Sequence, residues 1–506
     1  MTVNPLLWLH FRLTGAWCTN LLIALVYASL AIVGATVSYR MAGTTAPPGA
    51  VSKVWLGIVT AAQGLFLLLI GPGAIRKAIL QDFQTGMIES HRLSPMSGFR
   101  IVVGYMVGPP VQAFWLAGTG LVLGSYFAVD IAVNLSPLVV PGWYGFQLCV
   151  MCVALMVSSA VVLIALSTSG KLNVVGLMIP AAIFGGWAAL QFVPGLALAT
   201  GVLGAGDLIL ALFQGGPTGI SGDARGVALA ALLQLAFTAM FLRAACRKVR
   251  APERAMFSIP LGLLLAVVWA GALVAGMALM PSDHWLISDF DNPNAAQIIC
   301  SAATLMIVAL FPLLAAANER FRLERAVAFG VVVSRARMLL AVAMPALLAG
   351  LGLATMVLMY RWTPLGRMPF ATSADTFRQA FTTWPPLLAM LLALGLSFWT
   401  DLVLLFWIVA RGMRVLRMVL ILTVLLKAGP LLMALCITGV WEALDQPLNF
   451  TETQIAGFSP VGTLMMCMCE GGNPWPGLVG QLGLAGLATW LAWRTRRWLR
   501  RMAGSE

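Results

Sequence analysis

Residues 82–104 read DFQTGMIESHRLSPMSGFRIVVG. This polar stretch, carrying Asp82, Glu89, His91, Arg92 and Arg100, is wedged between apolar runs at 54–75 and 101–128. Each run is long enough to cross a hydrocarbon core of roughly 30 Å at about 1.5 Å per residue. Backbone inside a bilayer must satisfy its own hydrogen bonds, so the two runs predict spanning helices. The insert between them predicts a helical element on the cytoplasmic side.

The rest of the chain repeats that alternation. Its 506 residues are 60% hydrophobic and only 10% charged, with a mean hydropathy of +0.93. That is too little polar surface to clothe a soluble globule of this size. Twelve apolar runs stand near 19–38, 54–75, 101–128, 143–167, 172–193, 226–243, 258–280, 296–317, 338–360, 384–410, 416–440 and 476–493. They are continuous rather than alternating, and too long for barrel strands. The expected fold is all-α: a polytopic membrane protein of about twelve transmembrane helices.

Charge gives an independent test, because Lys and Arg are retained on the cytoplasmic side of short loops. With both termini inside, 24 of the 31 basic residues fall on inward segments, among them Arg76, Lys77, Arg92, Arg243, Arg247, Arg250, Arg320 and Arg496. The net charge of +13 therefore reads as topology with attraction to anionic lipid, and not as a nucleic-acid surface. Localisation in the cell (inner) membrane with both termini cytoplasmic is the expectation.

The eight cysteines are scattered through or beside apolar runs and imply no disulfide framework. Cys467 and Cys469 stand near Glu470 without a nearby His, and His10, His91 and His284 fall on opposite sides of the membrane, so no metal site is expected. The start of the chain, NPLLWLHFRLTGAW from Asn4, mixes Leu6, Leu9 and Phe11 with His10 and Arg12 and predicts an interfacial helix. Two ionisable residues lie inside apolar runs, Asp401 in SFWTDLVLLF and Lys427 in TVLLKAGPLL. Each is costly in hydrocarbon unless paired or hydrated, which leaves a structural ion pair and a substrate or ion contact as the two readings.

Runs starting at 21, 101, 143 and 172 find counterparts at 258, 338, 384 and 416, an offset of about 240 residues. Phe192-Val193-Pro194 and Phe458-Ser459-Pro460 each precede a Gly-rich stretch, a last apolar run and a basic tail. The chain thus reads as two parallel six-helix repeats, residues 1–250 and 251–506, joined near KVRAPERAMFS, with a translocation path expected between such halves.

The insert resembles the coupling helix of the membrane subunits of ABC type-2 transporters. In that family an acidic pair, a Gly-Thr-x-Glu, a Pro-Leu-Ser and a Gly lead into the third span. Asp82, Gln84, Gly86, Glu89, Pro95, Met96, Ser97 and Gly104 stand at the corresponding spacings. Asp82 and Gln84 replace glutamates, Met87 replaces Thr, and Tyr105 stands where Lys is common. The resemblance implies that a coupling helix at 76–99 receives an ABC ATP-binding subunit, in two copies, while this chain binds no cofactor. ATP and Mg would be used by the partner.

The second half offers Glu319, Arg322 and Glu324 in NERFRLERAVAFGVVVSRAR, within a cytoplasmic loop at 318–337, without the family's Gly or Pro at the matching positions. A second, differently built coupling loop is the expectation.

The chain carries no GxxxxGK[ST] phosphate loop, so it is expected to be a transport subunit and not an enzyme. A major-facilitator-like secondary carrier driven by an ion gradient is the alternative, although the GxxxDRxGRR-like loop of that class is replaced here by IRKAILQDF. A lipid-processing enzyme would need His, Asp or Glu converging near one interface, which the scattered charges do not offer. Membrane lipids are expected partners, and a homodimer is an open alternative to a self-sufficient monomer.

Overall fold

The computed structural model describes residues 16–43, 49–134, 139–168, 193–200, 224–252, 255–279, 293–362, 378–412, 455–468 and 472–503, with single positions 4, 6, 8, 9, 12, 47, 137, 426, 427, 429, 430 and 433. Every regular element among them is helical. Nine of these helices are long and apolar enough to cross a membrane, and the chain is a multi-pass helical membrane protein. The described residues group into two compact units, one within Met1–Ala188 and Leu196–Met256, the other within Ala189–Gly195 and Phe257–Glu506.

The first unit contains α1 (Ala16–Ala42), α2 (Ala50–Thr85), α3 (Met87–Leu93), α4 (Gly98–Val107), α5 (Val111–Asn134), α6 (Val139–Thr168) and α7 (Ala224–Arg250). Helix α2 is 36 residues long and leads directly into the polar insert. Pro72 has no N–H for the helical ladder, and the turn before it widens to a π turn, Phe66–Ile70, in which the Gly71 N–H reaches the Phe66 carbonyl. The core joins Ala35, Leu56, Val59, Phe127, Ile131 and Trp143 from α1, α2, α5 and α6. A fully buried polar contact lies within this apolar interior: Gln63 Nε2 donates to Gln147 Oε1 at 2.7 Å, with both side chains buried. Such a bond ties α2 to α6 where lipid offers no competing partner.

The second unit contains α8 (Ile259–Leu279), α9 (Pro293–Ala328), α10 (Arg335–Trp362), α11 (Trp384–Ala410), α12 (Pro460–Met468) and α13 (Trp475–Ala503). Helix α9 is also 36 residues long and carries Pro312 inside it. Gly262 of α8 lies against the Pro312 backbone, so near that a Cβ there would come within 2.8 Å. Met344, Leu348, Met390, Leu394, Phe398 and Phe406 of α10 and α11 are fully buried.

Three expectations change in the structure. The run at 101–128 is two helices, because Gly108-Pro109-Pro110 lacks two consecutive N–H donors and breaks the ladder between Val107 and Val111. The coupling helix expected at 76–99 is the end of α2, a left-handed Gly86, short α3, a bend at 94–96 with Ser94 and Ser97 extended, and the start of α4. The last run is part of a longer helix, α13, that continues through the basic tail to Ala503. The runs at 172–193 and 416–440 lie almost wholly outside the described residues, as do His10 and Phe192.

Candidate functional site

The insert is built by a glycine and braced by charge. Gly86 has φ +74°, a left-handed conformation that ends α2 and that a side chain would strain. Backbone direction then reverses into α3, whose Glu89 N–H bonds the Gly86 carbonyl at 3.1 Å and whose Ile88 is buried. Ser97 caps α4 by accepting the Arg100 N–H at 3.3 Å. Beneath α3, the Asp82 carboxylate accepts the Tyr105 hydroxyl and lies 3.3 Å from His91 Nε2. The His91 and Tyr105 rings meet edge to face.

A second set of contacts holds the insert to the end of α7. Arg92 pairs with Glu89 and donates through Nε to the Val249 carbonyl at 3.1 Å. Arg250 in turn donates to the Met96 carbonyl. Guanidinium groups suit this task because they bond a carboxylate and a carbonyl from one planar fork.

Gln84, Gly86, Glu89 and Pro95 are all exposed on this braced turn, together with Met87 and Leu93. Leu93 is 87% exposed, an apolar side chain offered to water at the tip of a polar loop. Asp82 and Gly104 are elsewhere in role. Asp82 turns inward to Tyr105, and Gly104 lies under Leu6, whose Cβ would be 2.8 Å from a Cβ at Gly104. Asn4 completes that seat by donating to the Arg100 carbonyl at 2.7 Å and accepting the Leu6 N–H.

Sequence reading missed Tyr105 and Arg250 as braces. The Met87-Ile88 pair amid polar residues was a usable sign of an anchor without saying which of the two is buried, whereas nothing local signals that Tyr105 faces Asp82.

In the second unit, Glu319, Arg322 and Glu324 are not equivalent. Glu324 is buried, 3.0 Å from Arg320 Nε on its own helix and 3.2 Å from Arg496 Nε on α13. Arg320 also lies over the Phe406 ring at 4.9 Å. Glu319 makes only long contacts of 4.0 Å with Arg322 and Arg337, and Arg322 is exposed. After α9 the chain turns at Gly330, φ +75°, and crosses 331–334 outside any regular element to α10. A turn glycine is thus present in the second loop, but later than the matching position, because α9 continues helical through Ala328. Among the described residues no short helix equivalent to α3 follows it.

Asp401 and Lys427 are brought together. Lys427 Nζ lies 2.7 Å from Asp401 Oδ2 and 5.9 Å from the Phe398 ring centroid, and Ser459 donates to the Lys427 carbonyl at 2.7 Å. A cavity of about 30 Å³ adjoins the pair, lined also by Ser397, Thr400 and Gln481. That volume and polarity suit a single water.

Cys467 is buried in α12, and burial pushes its thiol up to about 12, which disfavours the thiolate a metal would need. Cys469 lies outside the described residues. Among the described residues no group of three His, Cys, Asp or Glu is placed to hold a metal ion.

No family model matches the chain, and no curated protein and no solved structure matches it.

Proposed function

We propose that this chain is the membrane-spanning subunit of an ATP-driven transporter of the ABC type-2 kind, an exporter, with both termini in the cytoplasm. The observation that carries the reading is the exposed turn from Gln84 to Pro95, continuous with the 36-residue α2 and braced at Asp82–Tyr105 and Arg250–Met96. A stiff lever needs such an end. Force applied to Glu89, Leu93 and Pro95 would pass along α2 to the Gln63–Gln147 bond rather than dissipate in a slack loop. A separate ATP-binding subunit, in two copies, would supply ATP and Mg chemistry.

The two halves would then be driven unequally. The first loop offers Met87, Glu89 and Leu93 around a short helix, whereas the second has its central Glu324 locked to Arg320 and Arg496 and exposes Arg322, Arg325 and Val332 instead. The matching 36-residue lengths of α2 and α9 support the parallel-repeat reading.

Co-purification of the tagged chain in mild detergent tests the proposal. The expected result is an ATP-binding subunit that elutes with the wild-type chain and is lost from Glu89→Arg with Leu93→Asp, while the membrane protein still elutes as a single symmetric peak. Asp401 favours one second reading, a gradient-driven carrier, because it is a membrane-embedded carboxylate. A partner-free chain that moves solute on an ion gradient, and stops doing so in Asp401→Asn with Lys427→Met, would establish that reading instead.

A further inference from the structure

Next to the insert, α4 and α7 enclose a groove of about 640 Å³ lined by Gly98, Phe99, Leu242, Arg243, Arg247 and Arg250. Its volume lies within the range of sites that bury a small ligand or a headgroup. Arg243, Arg247 and Arg250 are spaced by four and three residues on one helix and so share one face of α7. Among the described residues no Asp or Glu lines the groove. The nearest acidic side chains of the insert are engaged elsewhere, Glu89 with Arg92 and Asp82 with Tyr105 and His91. Arg243 and Arg250, whose bond to Met96 is to a carbonyl and not to a carboxylate, bring like charge to one wall, so the groove favours an anion.

The apolar lining narrows the choice of anion. Leu242 continues the apolar face of a spanning helix, and Phe99 is an exposed aromatic at the start of α4. The arginines stand at the basic end of α7, where the positive-inside rule puts the inner-leaflet headgroups. A free metabolite anion has no use for the apolar wall; a phosphate attached to acyl chains uses both parts.

We propose that the α4–α7 groove binds the phosphate headgroup of an anionic phospholipid, with its acyl chains along Leu242 and Phe99. Arg243, exposed and without an ion pair among the described residues, makes the outer contact. Arg250 links the groove to the insert through the Met96 carbonyl, so lipid in the groove stiffens the loop. The site stands on its own chemistry and does not depend on the transport reading.

The test uses the full chain, delipidated in detergent, with native mass spectrometry after adding phosphatidylglycerol or phosphatidylcholine. Wild type retains phosphatidylglycerol preferentially; Arg243→Gln lowers that retention about fivefold, as expected for one Arg near a lipid surface. Arg243→Lys restores it in large part. Unchanged phosphatidylglycerol preference in Arg243→Gln would overturn the site. So would displacement of the lipid by inorganic phosphate alone, which would make it a free-anion site. Loss of a bound protein from Arg243→Gln with lipid retention intact would reassign the groove to that protein.

Discussion

The Lys427 ammonium lies 2.7 Å from the Asp401 carboxylate, 26 residues apart in sequence, with Phe398, Leu426 and Pro460 beside them. Neither charge is stable there alone. The pair, the Ser459 bond to the Lys427 backbone and a cavity with room for one water share the desolvation cost.

Removing one partner is therefore worse than removing both. Asp401→Asn or Lys427→Met alone is expected to cost about 3–5 kcal/mol, because an unpaired buried charge remains. Asp401→Leu with Lys427→Leu recovers most of the loss. Thermal unfolding followed by size-exclusion chromatography in detergent measures this, and a double variant as weak as either single would refute the pairing.

Tyr105→Phe keeps the ring against His91 and removes only the hydroxyl that Asp82 accepts. The expected effect is local, about 1–3 kcal/mol, the cost of leaving a half-buried acceptor short of a donor. Hydrogen exchange over residues 82–97 should quicken roughly tenfold or more, while the core amides of α5 and α6 stay protected. Equal protection in the variant would show that the brace carries no load.

Gly104→Val drives a side chain into Leu6, since even a Cβ would stand 2.8 Å from it. The start of the chain should lift from α4, releasing the Asn4 bond to Arg100, at a cost of about 1–3 kcal/mol for overpacking. Limited trypsin digestion reads this as faster cleavage after Arg12. Gly104→Ala, a smaller intrusion, should give an intermediate rate.

Cys467 has its thiol raised to about 12 by burial. A raised folded value favours the protonated form, so this contribution to stability is full below the ordinary thiol range near 9 and is lost as pH climbs toward 12. At pH 8 its thiolate fraction is on the order of a thousandfold below that of an ordinary thiol. Maleimide labelling of the native protein should spare Cys467 and modify exposed Cys18, with both labelled after denaturation.

Legibility followed the range of the interactions. Apolar runs, the polar insert and the turn glycine were readable because each depends on neighbours within a few residues: Gly86 ends α2 where the charge pattern changes. The breaks at Pro109-Pro110 and after Thr85 fall inside the run at 101–128 and the helix expected at 76–99, because helix propensity alone does not say whether a proline or glycine kinks a helix or splits it. Glu324 looked like an outward loop charge. Its burial against Arg496 depends on a residue 172 positions away.

The sequence by itself determined that the chain is helical and embedded in a membrane, because hydrocarbon admits no unsatisfied backbone and the lengths of the apolar runs follow from bilayer thickness. Only the tertiary structure decided which charges are neutralised and which are offered. Asp401 found Lys427, Glu324 found Arg496, Asp82 found Tyr105, and Glu89, Leu93 and Arg243 were left facing outward. The reason is physical: the energy of a charge depends on the few ångströms around it, and those neighbours come from helices remote in sequence.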